Sequence, residues 1–176
     1  MTSEGQSAGA AQQVPWLSPE ERAAWLATAS IMISLPAALD ARLQAQAGLS
    51  FVEYMVLAVL SETDDRTMQM SDIAAGVSVS LSRLSHIVTR LEKQGLVRRA
   101  RIPGSGRRTN VTLTDDGYSC VVAAAPDHVR TVRELYIDTF EPGDLDMIQR
   151  IGVAVAKRIN PGRPFLHGTQ PASSPR

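Results

Sequence analysis

The feature that most restricts how this chain can fold is the spacing of small and apolar residues in the run Ile73-Ala74-Ala75-Gly76-Val77-Ser78-Val79-Ser80-Leu81-Ser82-Arg83-Leu84-Ser85-His86-Ile87. Two short helices that cross steeply after a tight turn need a small side chain where they come closest, and Ala74 supplies it. Val79, Leu84 and Ile87 follow at the offsets where the second helix must plug the core. Ser78 stands at the turn position that glycine most often takes. Ser80 is a suitable N-cap for the second helix, and Gly95 a suitable C-cap residue. The pattern predicts a helix-turn-helix, with short helices over Ser71–Gly76 and Leu81–Gln94.

The flanks extend the pattern. Ser18-Pro19-Glu20-Glu21 reads as a capping box with proline at the first helical position, opening a helix that runs to Ala47 and stops at Gly48. Pro36 falls inside it, where a kink is expected. Ser50 caps a second helix, Phe51 to Ser61, and Thr67–Gln69 suits a small strand. After Gly95, two β-compatible runs, Leu96–Ile102 and Arg107–Leu113, flank Pro103-Gly104-Ser105-Gly106, a hairpin signal. Thr114 caps a long helix carrying Val121, Val122, Val129, Val132, Leu135 and Ile137, and Pro142 suits the first turn of a last helix through Arg158. The fold class is therefore mainly α with a small β wing: a winged helix-turn-helix domain over residues 49–114, flanked by helices over 18–48 and 115–159. The ends, residues 1–17 and 160–176, are rich in Ser, Gly, Ala, Gln and Pro and read as flexible tails.

Charge is segregated although the formal net charge is zero. Between Ser80 and Arg108 stand Arg83, Arg90, Lys93, Arg98, Arg99, Arg101, Arg107 and Arg108, with Glu92 the lone acid. Such a cluster creates a local positive field suited to phosphates, or simply a solvated face. With Leu84, Ile87, Val88 and Leu91 turned inward, the second helix of the motif shows Ser82, Arg83, Ser85, His86, Thr89 and Arg90 outward. Short hydroxyls with Arg and His near a helix N-terminus suit the base edges of the major groove in double-stranded DNA. Arg83 fits a guanine, and Ser80, Ser82, Ser85 or His86 a base edge or phosphate. Arg90 and Lys93 are placed for phosphates, with a surface ion pair the plainer reading of Arg90.

At these residues the chain resembles the MarR family of transcriptional regulators. Leu91-Glu92-Lys93-Gln94-Gly95-Leu96-Val97-Arg98-Arg99 is similar to that family's recognition-helix end and first wing strand. Arg107-Arg108-Thr109-Asn110-Val111-Thr112-Leu113-Thr114-Asp115-Asp116-Gly117 looks like its second wing strand and the start of its dimerisation helix. The resemblance implies a homodimer on a pseudopalindromic operator, with Arg107 at the wing tip in the minor groove and Arg108 on phosphate. The family's wing usually has Asp two residues before that Arg; here Ser105 replaces it, which removes a carboxylate that would brace the wing. The resemblance also implies interlocking terminal helices, with Val129, Val132, Leu135, Ile148, Ile151 and Val155 as candidates for the seam. It further implies a repressor released by a small aromatic ligand, for which Trp25, Met32, Tyr54 and Met55 are candidate pocket residues, or by thiol oxidation.

Cys120 is the lone cysteine, so neither an internal disulfide nor a cysteine-based zinc cage is available. It reads as a small buried hydrophobe or as a redox switch. His86, His128 and His167 have no nucleophile or metal-ligand partner at suggestive spacing, and no phosphate-binding glycine loop occurs, so neither an enzyme nor a cofactor is expected. No unbroken apolar run nears the ~18 residues of a membrane span, and the N-terminus lacks the features of a signal peptide. The expected location is the cytoplasm, with no membrane partner. The rival reading is a winged-helix module whose basic cluster meets an acidic protein.

Overall fold

A computed structural model describes residues 14–101 and 108–161 of the chain. The expected tails and the wing tip, with Pro103, Gly104, Ser105, Gly106, Arg107 and His167, lie wholly or largely outside the described residues. The chain divides into two compact units, one ending at Ser34 and the other beginning at Leu35.

In the first unit the predicted capping box forms: the Glu21 amide donates to Ser18 Oγ (3.2 Å), and the Ser18 amide donates to Glu21 Oε2 (2.7 Å). It opens helix α1, Pro19–Ala47, which continues through Pro36 into the second unit. Trp16, Trp25, Met32 and Ile33 are all more than half exposed. One point corrects the expectation from unbroken runs. An 18-residue window of α1 has a mean hydropathy of 1.4, so this helix is long and apolar enough to cross a membrane by composition, because alanine and few charges raise the average.

In the second unit, Gly48 leaves α1 with φ 68°. Ser50 then caps α2, Phe51–Ser61, in a second reciprocal box with Glu53. Next come β1 (Thr67–Gln69), α3 (Met70–Gly76), α4 (Leu81–Lys93), β2 (Val97–Arg101), β3 (Thr109–Leu113) and α5 (Asp115–Leu135). A single 3-10 turn, Ile137–Thr139, leads to α6, Asp144–Ile159. Two expectations are corrected here. Ile137 falls in the 3-10 turn, beyond α5. Pro142 lies before α6, whose first turn is fixed by the Asp144 carboxylate accepting from the Glu141 amide (2.9 Å).

The strands form one antiparallel sheet in the order β1-β3-β2, with Val97 opposite Leu113 and Arg101 opposite Thr109. The core comes from every element the motif predicted: Val56, Leu57 and Leu60 of α2, Ile73 and Ala74 of α3, Leu84, Val88 and Leu91 of α4, and Val111 of β3. Leu–Val burial on this scale supplies most of the driving force, at roughly 25 cal/mol per Å² of apolar surface removed from water.

Two backbone devices orient α4. At its start, Ser78 adopts φ 54°, and its amide donates to the Ala75 carbonyl (3.3 Å) while the Val79 amide reaches Ala74 (3.0 Å). That is the paired closure of a left-handed helix end, made here without glycine. At its finish, Gly95 (φ 76°) and Leu96 repeat the same closure on Glu92 and Leu91. The Thr114 hydroxyl then binds the Gly95 and Leu96 carbonyls (2.8 and 3.0 Å) and accepts from the Gly117 amide (3.0 Å), which joins α5 to the end of α4.

Two stability outcomes follow. A Cβ on Gly117 would stand 2.1 Å from the Leu96 carbonyl oxygen and 2.7 Å from Leu113 Cδ1. Since the nearer atom is backbone, Gly117→Ala should destabilise the fold by about 3 kcal/mol, at the upper end of overpacking costs, measured as a lowered urea midpoint at fixed protein concentration. Ser78→Gly should do the reverse. Relief of a left-handed penalty of ~1–2 kcal/mol outweighs the ~0.5–1 kcal/mol entropic cost of glycine, so the melting temperature should rise.

Candidate nucleic-acid interface

Helix α4 is built to turn a polar face outward. Ser80 caps it, its Oγ accepting from the Arg83 amide (3.2 Å), while Leu84, Ile87, Val88 and Leu91 are buried. Ser82, Arg83, His86, Arg90 and Lys93 are exposed on the other sides, and Ser85 and Thr89 are half-buried. The Thr89 hydroxyl is already committed, donating to the Ser85 carbonyl (2.8 Å).

The cations divide into two groups. Arg90 pairs with Glu53 of α2 (2.9 Å), and Glu53 is only 5% exposed and also accepts from the Ser50 amide and hydroxyl. Arg99 is clamped by Glu92: its amide donates to Oε1 (3.1 Å), and its Nε and Nη2 donate to Oε2 (2.9 and 2.6 Å). The Arg99 contacts hold the Glu92 carboxyl below the usual glutamate range, mainly through the side-chain hydrogen bonds. By contrast, among the described residues Arg83, Lys93, Arg98, Arg101 and Arg108 form no ion pair, and all five are exposed. They lie on α4, on β2 and at the entry to β3, so the helix-turn-helix and its wing display a cluster of free positive charge. The other exposed cations without an ion pair among the described residues, Arg22, Arg150, Lys157 and Arg158, lie on α1 and α6. Arg107 lies outside the described residues.

Sequence reasoning missed both carboxylates as structural partners. Glu53 was legible only as a capping-box residue, Ser50-x-x-Glu53, and its second duty spans two helices far apart in sequence. Glu92 ties the C-terminal end of α4 to β2, a brace between recognition helix and wing in a chain where Ser105 replaces the acid at the wing tip.

The candidate pocket residues fall in different units. Trp25 and Met32 are exposed on α1 in the first unit, at 53% and 54%. In the second unit Tyr54 is buried, with its ring 4.4 Å from that of His128 on α5, and Met55 is half-buried against the core. Phe51 lies 6.1 Å from the same imidazole, centroid to centroid. Burial pushes the Tyr54 hydroxyl above its ordinary range, reinforced by Glu62, and pushes His128 below its own. His128 Nδ1 is buried without a hydrogen-bond partner among the described residues. Cys120 is half-buried against the core, and burial pushes its thiol up, away from the thiolate that redox sensing needs.

Comparison with known proteins places this geometry. A family model described as MarR family matches residues 47–108. Sco3205 of Streptomyces coelicolor, a MarR family transcriptional regulator solved in complex with DNA, is 34% identical with a TM-score of 0.81, covering 89% of this chain and 99% of that one. AbsC of the same organism, also of the MarR family, is 34% identical with a TM-score of 0.77, covering 83% and 98%. The HTH-type transcriptional regulator PecS of Dickeya dadantii (strain 3937) is 31% identical over 88 residues, 49% of this chain and 53% of PecS. The chain spans about half the length of the curated relatives it matches.

The Glu92–Arg99 clamp makes a pH-dependent outcome. Because the folded carboxyl is held below its unfolded range, its stabilisation is complete above the ordinary glutamate range and is lost as pH falls through and below it. Glu92→Gln should therefore lower the melting temperature at neutral pH, and the gap from the parent should close in acid. A gap that stays constant with pH would show that the clamp does not contribute through its charge.

Proposed function

This chain belongs to the MarR family of winged helix-turn-helix transcriptional regulators, and we propose that it binds a pseudopalindromic double-stranded DNA operator as a homodimer. In this reading α4 enters the major groove, with Ser82, Arg83, Ser85 and His86 toward base edges. Ser80, Lys93 and Arg108 meet the backbone, and the wing brings Arg107 to the minor groove. The observation that carries the proposal is the cluster of five exposed cations, Arg83, Lys93, Arg98, Arg101 and Arg108, that the helix-turn-helix and wing display without an ion pair among the described residues, the lone acid of that stretch, Glu92, being taken by Arg99. Arg90 takes a positioning role through Glu53, with any phosphate contact secondary.

The exposed apolar side chains of α1, α5 and α6, among them Trp25, Val129, Ile151 and Val155, serve in this reading as the dimer seam. One copy leaves them in water; a second copy removes them from it, and two recognition helices then read both half-sites. The flanking segments 18–48 and 115–159 are accordingly dimerisation helices, and the apolar α1 meets protein and not lipid. Some family members bind small ligands, and we take this chain as a repressor released by a small aromatic molecule, acting on genomic DNA in the cytoplasm.

The test is binding to duplex from its own upstream region, titrated against salt with competitor DNA present. Affinity should fall steeply with salt, and the preference for one sequence should survive competition. Arg83→Ala should cost about 1–3 kcal/mol on the preferred site and relax its sequence. Arg108→Ala should weaken all sequences alike and reduce the salt slope by about one per site. Equal and negligible effects of the two substitutions would reject this face, and the basic cluster would then belong to an acidic protein partner.

A further inference from the structure

We infer that Leu81 determines part of the sequence specificity, by packing its side chain on the 5-methyl group of a thymine in the major groove. The inference rests on the DNA-binding reading above and deepens it. Leu81 is the first residue of α4 and is 56% exposed. Among the described residues from Leu49 to Thr114 it is the one large hydrophobic side chain that stands exposed. The other exposed large apolar residues among those described precede Leu35 or lie on α5 and α6, where a second copy accounts for them. No such account reaches Leu81.

Nor does folding explain it. The apolar position that this turn of α4 contributes to the core is Leu84, which is fully buried, and the cap is made by the Ser80 hydroxyl. Leucine at the first helical position therefore leaves apolar surface in water without filling the core. Its immediate surroundings are hydroxyls and a cation: Ser80, Ser82, Arg83 and Ser85. An apolar island within a cationic, hydroxyl-rich face fits an apolar group within an anionic, acceptor-rich surface. The major groove presents one such group, the thymine methyl, flanked by base acceptors and phosphates. A hydrophobic groove on a protein is a poor alternative, since seating Leu81 there would strip water from the unpaired Arg83 beside it. The N-terminal residues of a recognition helix are also those that reach base edges.

The test uses the full-length protein and a random-sequence duplex pool. Selection with the parent protein should yield a half-site containing an invariant T·A pair that Leu81→Ala no longer enriches. Each thymine of the selected duplex is then replaced by deoxyuridine, which removes only the methyl group. At one thymine per half-site this should weaken the parent about fourfold, the worth of one methyl group returned to water, and leave Leu81→Ala unaffected. The deoxyuridine series alters no residue, so it stands even if a variant folds poorly. Enrichment with no methyl-sensitive thymine, or a methyl effect undiminished in Leu81→Ala, overturns the role of Leu81 while DNA recognition survives. Failure of the parent protein to enrich any sequence overturns the DNA-reading assignment and this inference with it.

Discussion

The arrangement depends most on the close approach of α5 to the end of α4. Thr114 and Gly117 contact the Gly95–Leu96 backbone at hydrogen-bond and sub-van der Waals range for any larger residue. One hydroxyl reaches two carbonyls just beyond the recognition helix, of which the Leu96 carbonyl also accepts from the Thr114 amide, and it caps the long helix as well. The two helices thus share a terminus. A shift of α5 must move the Gly95–Leu96 backbone, because Gly117 meets the Leu96 carbonyl with no side chain of its own to absorb it. For a protein whose α5 is assigned to the dimer seam, this is a direct mechanical route between seam and groove.

A second route runs through Glu53. A carboxylate this buried is costly unless it is hydrogen-bonded and paired, and Ser50 and Arg90 satisfy both needs. Glu53 and Tyr54 are consecutive in α2. The first holds α4 through Arg90, and the second packs on His128 of α5. One turn of α2 is therefore in contact with both helices that the Thr114 junction also joins. The His128 imidazole, its pKa lowered by burial and its Nδ1 without a partner among the described residues, packs against Phe51 and Tyr54 of that turn.

The elements were readable because their signals are local. Ser18-Pro19-Glu20-Glu21, Ser50, Ser80, Gly95 and Thr114 each state a helix end within four residues, and all five form as read, Ser50 with Glu53 as an added reciprocal partner. Ser78 was legible as a non-glycine at a glycine position, and it takes the left-handed conformation all the same, because Val79 must reach the core. What the sequence did not disclose are pairings across long separations: Glu53 with Arg90, Arg66 over the Tyr118 ring and paired with Asp115, and Tyr54 with His128. Neither periodicity nor composition carries that information. The start of α6 was misplaced for a local reason: Pro142 suits a first turn, but Gly143 at φ 97° and the Asp144 carboxylate define the actual one.

The charge pattern shows what three-dimensional placement adds to a count. By sequence, the stretch from Ser80 to Arg108 has eight cations against one acid, and the count alone does not say which of them are free to meet phosphate. Among those the structure describes, two are occupied, Arg90 by an acid from outside the stretch and Arg99 by the lone acid within it. Both hold α4, one against α2 and one against the wing strand. Their charges set the geometry in which the remaining cations are displayed. The field offered to DNA is therefore weaker than the count suggests and better aimed, since phosphate contacts fix register only when the helix presenting them cannot tilt. In this chain carboxylates hold the helix, and the proposed complex then has exposed cations to meet the backbone and Ser82, Arg83 and His86 to meet the bases.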